Sequence, residues 1–197
     1  MYEKSSCWVI GGYVFCHVRH GVQAPRDGRD THLIKTQHIA SLHLYIRTMI
    51  NIYNFKQVSD LLACAGQPQE GQLQSIAEDG YQVIINLGLT DGKYALADEA
   101  ASVTKLGLAY HHLPIIFDDP QLSELIDFIK VMNEHSHQKT LVHCAANYRA
   151  SAFTGLYLFS ADILSQDEMQ EFIEDVWQPD GIWQQFIDDA VLWLESE

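Results

Sequence analysis

The amino-acid sequence predicts an α/β fold with a mainly parallel central sheet flanked by helices. Short apolar runs of strand length alternate with amphipathic stretches of helical period along residues 49–197. This alternation is typical of parallel sheets that carry helices on their faces. Residues 81–87 (YQVIINL) add a second indication, because a continuous apolar, β-branched run is expected for a strand covered on both sides.

The first half of this domain is predicted to form a hairpin, a helix and a buried strand. Residues 54–65 indicate two short strands around a turn at Ser59-Asp60. A helix is predicted over residues 69–79, because its apolar side chains share one face and Gly80 stands in the position of a C-terminal cap. The strand over residues 81–87 follows directly.

The second half repeats this order and ends in two helices. Gly107 ends a predicted helix and Pro114 ends the strand after it. The predicted helices cover residues 98–106, 121–134, 150–161, 165–176 and 182–195, and the predicted strands cover residues 108–113 and 140–144. The helix over residues 150–161 is apolar almost throughout, so we expect it to lie at the centre of the domain.

Charge divides the chain near residue 48. Residues 1–48 carry six Lys or Arg against three Asp or Glu, whereas residues 49–197 carry six against twenty-three. We expect residues 1–48 to form an N-terminal extension outside the functional fold, with Met49 as a natural start. Residues 49–197 are then the functional domain, and their length is sufficient for a full core.

The composition disfavours several classes of partner and site. A net charge of -14 argues against nucleic acid and against an anionic membrane surface, because binding to either depends on basic patches. The four cysteines match neither a disulfide framework nor a metal knuckle, which favours the reducing cytoplasm and no bound metal or other cofactor. The sequence does not indicate an oligomeric state.

Cys144 is the candidate nucleophile. It follows an apolar strand and precedes a short segment that runs into the start of a buried helix. Backbone N–H groups at a helix N-terminus lack intrahelical partners and carry partial positive charge. Such a field stabilises the thiolate of a cysteine and binds the oxygens of a phosphate. The order of strand, cysteine and helix therefore predicts an anion-binding loop.

Arg149 is the candidate phosphate-binding side chain at the rim of this loop. The other five basic residues of the domain are all lysines, and a guanidinium offers a planar fork suited to two phosphate oxygens. His143 directly precedes the cysteine, where we expect it to orient the loop through hydrogen bonds. The remaining predicted substrate-binding residues of the loop are Ala145, Ala146, Asn147 and Tyr148.

The segment from His143 to Arg149 resembles the signature loop of the protein tyrosine and dual-specificity phosphatase superfamily. More closely, residues 53–159 resemble bacterial phosphatase-like proteins related to the domain fused to β-lactamase-like hydrolases. The motifs that carry this likeness are at residues 65–68 (AGQP), 80–87, 113–114 and 143–153.

This resemblance implies a cysteine-phosphatase-like fold and a phosphocysteine mechanism. Cys144 would attack phosphorus, an acid would protonate the leaving oxygen, and water would hydrolyse the intermediate. The family acid is an Asp on an upstream loop, which points to Asp118 or Asp119. We favour Asp118, because Asp119-Pro120 is also an ordinary way to start the next helix. The implied partner is a phosphorylated protein or a small phosphorylated molecule.

The loop departs from the superfamily pattern in length and composition. The superfamily has five residues between Cys and Arg, usually with a glycine, and Ser or Thr directly after Arg. This chain has four residues there, no glycine, and Ala150 after Arg149. Ser151, one place later, is the remaining candidate for assisting the leaving thiolate.

Two alternatives follow from the short loop. A rhodanese-like sulfurtransferase also uses a cysteine in an N–H-lined loop, often with four residues before an arginine, and sulfane sulfur is smaller than phosphate. A non-catalytic phosphate or phosphopeptide-binding domain would use the same loop without turnover.

Overall fold

The computed structural model describes residues 7–10, 13–16 and 51–196. The chain divides into two compact units, residues 1–41 and 42–197. In the first unit, β1 (Cys7–Ile10) pairs with β2 (Tyr13–Cys16) as an antiparallel hairpin. The sequence pattern predicts no strand here, although Gly11-Gly12 between two apolar runs is a hairpin signal. The predicted domain boundary between residues 48 and 49 lies outside the described residues and stays a prediction.

The second unit contains five strands and six helices among its described residues. The strands are β3 (Lys56–Ser59), β4 (Leu62–Ala65), β5 (Val83–Asn86), β6 (Ala109–His112) and β7 (Thr140–His143). The helices are α1 (Glu70–Glu78), α2 (Glu99–Lys105), α3 (Leu122–Glu134), α4 (Tyr148–Ser160), α5 (Gln166–Glu174) and α6 (Gly181–Leu194). Each matches a predicted element.

The strands form one sheet in the order β3-β4-β7-β5-β6. Strands β4, β7, β5 and β6 are parallel, and β3 is an antiparallel edge strand. The predicted fold class, an α/β domain with a mainly parallel sheet flanked by helices, is confirmed. Because parallel strands end at the same edge, the loops after β4, β5, β6 and β7 lie at one end of the sheet, where sites in such folds gather.

Helices cover both faces of the sheet. One face packs Val83, Ile85 and Val142 into an apolar cluster with side chains of α3, α4, α5 and α6. The other face packs Ile84 and Leu141 against α1 and α2. This two-sided burial explains why the central strands are continuously apolar rather than alternating.

Helix α4 begins earlier than predicted. The sequence predicted its start at Ala150, but the helix begins at Tyr148, with Asn147 as its N-cap residue. Arg149 is therefore a residue of the first helical turn and not of the preceding loop. The prediction was wrong by two residues, because the apolar run that marks the helix begins only after its first turn.

Among the residues that the structure describes, no helix is both long and apolar enough to traverse a lipid bilayer.

Candidate active site

Cys144 lies at the centre of the sheet edge. It directly follows β7, the middle strand, and its backbone N–H donates to the carbonyl of Ala65 at the end of β4 (3.3 Å). The side chain is 1% exposed and belongs to the apolar cluster on the α4 side of the sheet. The predicted nucleophile thus lies at the strand end where the sequence placed it, with its side chain buried in the apolar cluster.

The cysteine loop, residues 144–147, is fixed by a reciprocal pair of asparagine contacts. The side-chain amide of Asn147 donates to the carbonyl of Asn54 (2.6 Å), and that of Asn54 donates to the carbonyl of Ala146 (3.1 Å). Both asparagines adopt left-handed backbone conformations, with φ of 70° and 49°. Asparagine tolerates this region better than most residues. Asn147 therefore makes, without glycine, the turn that leads into α4.

Two glycines let neighbouring loops approach the cysteine loop. A Cβ on Gly66 would lie 2.9 Å from the carbonyl oxygen of Tyr53 and 3.1 Å from that of Ala145. A Cβ on Gly88 would lie 2.9 Å from the side-chain oxygen of Asn86. The 2.9 Å approach to a backbone oxygen is too short for a real Cβ, so position 66 requires glycine, whereas a Cβ at position 88 would force the Asn86 side chain to shift. The loops after β4 and β5 consequently flank the cysteine loop at close range.

Arg149 is buried and connects α4 to the loop after β6. Its side chain is turned inward, with only 8% of the residue exposed, and Nη1 donates to the carbonyl of Ile115 (2.7 Å). No other acceptor among residues 51–196 is hydrogen-bonded to this guanidinium. Because a guanidinium has five N–H donors, most of its donors are available for an anion.

Asp118 and Asp119 lie on the same loop as Ile115. Both are exposed, and neither is hydrogen-bonded to Cys144 or Arg149 within the described part of the chain. The carboxylate of Asp119 accepts from the side chain of Gln121, the N-cap residue of α3 (2.6 Å). Asp119 thus supports a helix start, and Asp118 makes no such side-chain hydrogen bond to residues 51–196. The structure brings their loop to the site through Arg149, but not their carboxylates to Cys144.

Aromatic rings join the cysteine loop to the loop that carries Asp118. Tyr148 stacks on Trp177, with ring centroids 4.8 Å apart and an interplanar angle of 10°. Phe117 packs against Trp177 and Trp183, and the indole N–H of Trp183 donates to the carbonyl of Phe117 (2.8 Å). These contacts place α6 and the segment before it beside the candidate site.

His143 lies on the opposite face of the sheet from Cys144, because side chains alternate along a strand. Its side chain is 0% exposed, and Nε2 lies 2.9 Å from Oε1 of Glu99 on α2. The atoms are close enough for an ion pair, although neither ring nitrogen makes a well-aligned hydrogen bond to a described residue. Glu99 is a residue that our sequence reasoning missed.

Glu99 is a buried carboxylate with several donors around it. Its side chain is 5% exposed and accepts from the side chains of Asn86 (2.8 Å) and Gln67 (3.2 Å), with the hydroxyl of Tyr110 3.5 Å away. Burial alone would raise the pKa of Glu99. The close contact with His143, together with the bonds from Gln67 and Tyr110, outweighs burial and lowers that pKa below its ordinary value.

Ser151 and Cys64 are also buried beside the cysteine loop. The hydroxyl of Ser151 donates to the carbonyl of Tyr148 (3.0 Å), one turn back in α4. The thiol of Cys64, on β4, accepts a bond from the side chain of Asn147 (3.5 Å). Burial raises the pKa of Cys64 to about 12, so this second thiol stays protonated at neutral pH.

Within residues 51–196 and the two short N-terminal strands, no group of three or more His, Cys, Asp or Glu side chains could hold a metal ion.

Solved structures of other proteins share this fold. Two crystal structures of a candidate phosphatase of the DUF442 family from Shewanella putrefaciens CN-32 are similar to it. One is 29% identical, with 75% of this chain and 97% of that chain covered and a TM-score of 0.69. The other is 30% identical, with 74% and 93% covered and a TM-score of 0.66.

A more distant likeness extends to kinase-associated phosphatase, in a form whose catalytic-site cysteine is replaced by serine. It is 16% identical, 69% of this chain and 88% of that chain are covered, and the TM-score is 0.61. At this identity the likeness concerns the fold alone. The chain matches no protein-family model and no curated protein sequence.

The 30% identity across nearly the whole of the Shewanella protein goes beyond a common fold. The chain therefore belongs to the DUF442 family of phosphatase-like proteins.

Proposed function

We propose that this protein is a cysteine-dependent phosphatase that hydrolyses a phosphate monoester through a phosphocysteine intermediate. The observation that carries the proposal is the junction of β7 and α4. There Cys144 and the buried Arg149 lie on either side of a loop that leads into the helix N-terminus. Phosphatases in the same superfamily support this reaction.

The anion site would consist of Arg149 and backbone amides. The N–H groups of Ala145 and Ala146 have no hydrogen-bond partner among the described residues. The first-turn amides of α4 add donors whose partial positive charge favours an anion. Four residues between Cys144 and Arg149 provide fewer N–H groups and a narrower cradle than the five residues of the superfamily loop.

The reaction would proceed in two displacements. The Cys144 thiolate forms an S–P bond while the P–O bond to the leaving group breaks, and the leaving oxygen takes a proton from Asp118. A water oxygen then attacks phosphorus and the S–P bond breaks, which regenerates the thiolate and releases phosphate. The Asp118 carboxylate takes the proton of that water, so the acid of the first step is the base of the second.

The substrate class would be a phosphorylated protein or a small phosphorylated molecule. Apart from Arg149, residues 49–197 carry five basic side chains, all lysines, against twenty-three acidic ones. A highly charged polyphosphorylated headgroup would be repelled by this field. A thiolate nucleophile also fits a reducing compartment such as the cytoplasm, because it must stay unoxidised.

The test is hydrolysis of p-nitrophenyl phosphate by the full chain and matched variants. Cys144→Ser should abolish turnover, and Arg149→Lys should lower kcat/KM by about 100-fold, because a lysine cannot form the two-pronged contact. Cys64→Ala, which removes the other thiol near the loop, should retain activity within a few-fold. Turnover that survives Cys144→Ser would disprove the proposal.

The same variants distinguish the two alternatives. Thiosulfate:cyanide transfer that depends on Cys144, without phosphate ester hydrolysis, would identify a sulfurtransferase. Binding of phosphate or tungstate that depends on Arg149, without Cys144-dependent turnover at any pH, would identify a binding domain.

A further inference from the structure

The acid loop, residues 113–121, is held to the helices behind it at two main-chain carbonyls. Nη1 of Arg149, on α4, donates to the carbonyl of Ile115 (2.7 Å). The indole N–H of Trp183, on α6, donates to the carbonyl of Phe117 (2.8 Å). Because both bonds end on the main chain, they fix the course of the backbone whatever side chains the loop exposes. The first bond involves the candidate phosphate-binding residue, whereas the second has no part in anion binding.

The bond from Trp183 fixes the peptide unit that leads into Asp118. The carbonyl of Phe117 and the N–H of Asp118 belong to the same planar peptide, so a donor bound to that oxygen also fixes the orientation of the unit. A second bond closes the turn, because the N–H of Asp119 donates to the carbonyl of Ile116 (3.1 Å). Phe117 and Asp118 are therefore the two central residues of a turn whose middle peptide is bonded to α6.

Ring packing adds a second contact between the same two residues. The Phe117 ring lies 5.4 Å from that of Trp183 and 5.9 Å from that of Trp177, centroid to centroid, which is within the range of favourable aromatic pairs. Trp183 itself is 1% exposed and packs edge to face against Phe153 and Phe186 in the core. The indole is thus held by the core of the domain and provides a rigid support for an exposed turn.

We propose that Trp183 is a positioning residue for the proton-transfer step of the reaction proposed above. Through its N–H and its ring it holds the turn that carries Asp118, and so sets where that carboxyl group meets the leaving oxygen. This inference rests on the proposed function for its catalytic meaning. Proton transfer requires the acid within hydrogen-bond reach of the leaving oxygen, and a displacement of about 1 Å removes much of its effect. Asp118 is exposed, so its position depends on the backbone that Trp183 fixes.

The test compares kcat/KM for phenyl phosphate and for dinitrophenyl phosphate in the wild type and in Trp183→Phe. Phenylalanine retains an aromatic ring in the core but removes the N–H that binds the loop. Phenolate is a basic leaving group that needs a proton, so the variant should lower kcat/KM for phenyl phosphate by about 10-fold. Dinitrophenolate departs without a proton, so kcat/KM for that ester should stay within about two-fold. A purely structural role would lower both values alike or change only the thermal midpoint, and either result would overturn the proposal.

Two comparisons show whether the effect passes through the acid. Trp193 is a partly buried tryptophan near the other end of α6, and Trp193→Phe should leave both kcat/KM values unchanged. In an Asp118→Asn background, Trp183→Phe should have no further effect on phenyl phosphate, because the acid that it positions is gone. An equal loss with and without Asp118 would overturn the proposal.

Phe117→Ala provides an independent variant if Trp183→Phe does not fold. Phe117 lies on the loop and is 38% exposed, so its truncation removes the ring contact with Trp183 while the core stays intact. We expect a several-fold loss of kcat/KM for phenyl phosphate and no loss for dinitrophenyl phosphate. Equal losses for the two esters, or no loss for either, would overturn the proposal.

The outcomes separate this inference from the proposed function. Hydrolysis of phenyl phosphate that depends on Cys144 but is unchanged in Trp183→Phe would reject the role of Trp183 alone. If no ester is hydrolysed, the proposed function fails, and amide hydrogen exchange then measures the anchoring of the loop. Trp183→Phe should accelerate exchange in the peptide that contains residues 115–119, whereas Trp193→Phe should not. Equal exchange in the two variants would overturn the anchoring role as well.

Discussion

The two loops that would supply nucleophile and acid are held very differently. The cysteine loop after β7 is tied to Asn54 by two side-chain bonds, and the backbone N–H of Gln67 donates to the carbonyl of Ala145. The loop after β6, residues 113–121, exposes Asp118 and contacts the rest of the site at Ile115 and Phe117.

This difference assigns the positioning of the nucleophile to the cysteine loop and proton transfer to the loop after β6. A nucleophile in a fixed loop meets phosphorus at a constant place, whereas an acid on an exposed loop can approach after the substrate has bound. Substitutions in the cysteine loop should therefore cost stability as well as activity. Substitutions at Asp118 should cost activity with little change in stability.

The largest expected effect is at Asn147. Asn147→Ala removes the donors to Asn54 and Cys64 from a buried site and places alanine at a φ of 70°. We expect a loss of about 3 kcal/mol in the free energy of unfolding, from an unpaired carbonyl and a left-handed alanine together. Urea unfolding followed by circular dichroism measures it.

Glycine at the same position separates the two causes. Asn147→Gly also loses the side-chain bonds but accepts the positive φ, so it should be about 1 kcal/mol less destabilising than Asn147→Ala. Asn133→Ala, an exposed asparagine on α3, is the control and should be nearly neutral. A loss of stability at Asn147 no larger than at Asn133 would show that the cysteine loop does not depend on the side-chain hydrogen bonds of Asn147.

The second effect concerns the acid loop. Asp118→Asn should lower kcat for phenyl phosphate about 100-fold, equivalent to about 2.7 kcal/mol of barrier, because the basic leaving oxygen then departs without a proton. The thermal midpoint should stay close to that of the wild type, because the residue is exposed. Steady-state kinetics and a thermal scan on the same preparation measure the two quantities.

Asp119→Asn is the matched comparison on the same loop. It retains an oxygen that can accept from Gln121, so both activity and stability should change little. If Asp119→Asn abolished turnover and Asp118→Asn did not, the assignment of the acid would be reversed. If neither lowered kcat, the loop after β6 would not supply the acid.

The same contrast explains what the sequence could predict. Cys144 directly follows strand β7, and helix α4 begins shortly afterwards at Tyr148, so apolar pattern and local order were sufficient to place the nucleophile. Local pattern failed at the start of α4, because the polar and mixed residues Asn147, Tyr148 and Arg149 carry no helical period.

Contacts between residues far apart in the chain could not be predicted from local sequence pattern. Asn54 and Asn147 are 93 positions apart, and each is an ordinary turn residue when read alone. Glu99 is one of many acidic side chains in an acidic domain, and its burial depends on α2 packing behind β7. A buried carboxylate is rare without partners, but burial itself becomes visible only when the strand order is known.

The smallest expected effect is a pH dependence at the strand that precedes the acid loop. His111 on β6 lies against His135, the C-cap residue of α3, with Nε2 atoms 2.8 Å apart. Burial, and next the charge of His135, lower the pKa of His111 below its ordinary 6.5, although Glu134 acts in the opposite direction. Above pH 6.5 the ring is neutral in both folded and unfolded chains, so it does not change stability there.

Below that pH the unfolded chain takes up a proton that the folded chain resists, so stability falls as pH decreases from 6.5. His111→Gln should weaken this fall in the free energy of unfolding, measured by urea unfolding between pH 5 and 7. Above pH 7 the substitution should not change the pH dependence. His137 is an exposed histidine in the turn after α3, and His137→Gln serves as the control. It should leave the pH dependence of stability as in the wild type. Parallel curves for wild type and His111→Gln would show that the buried His111 ring does not cause the loss of stability below pH 6.5.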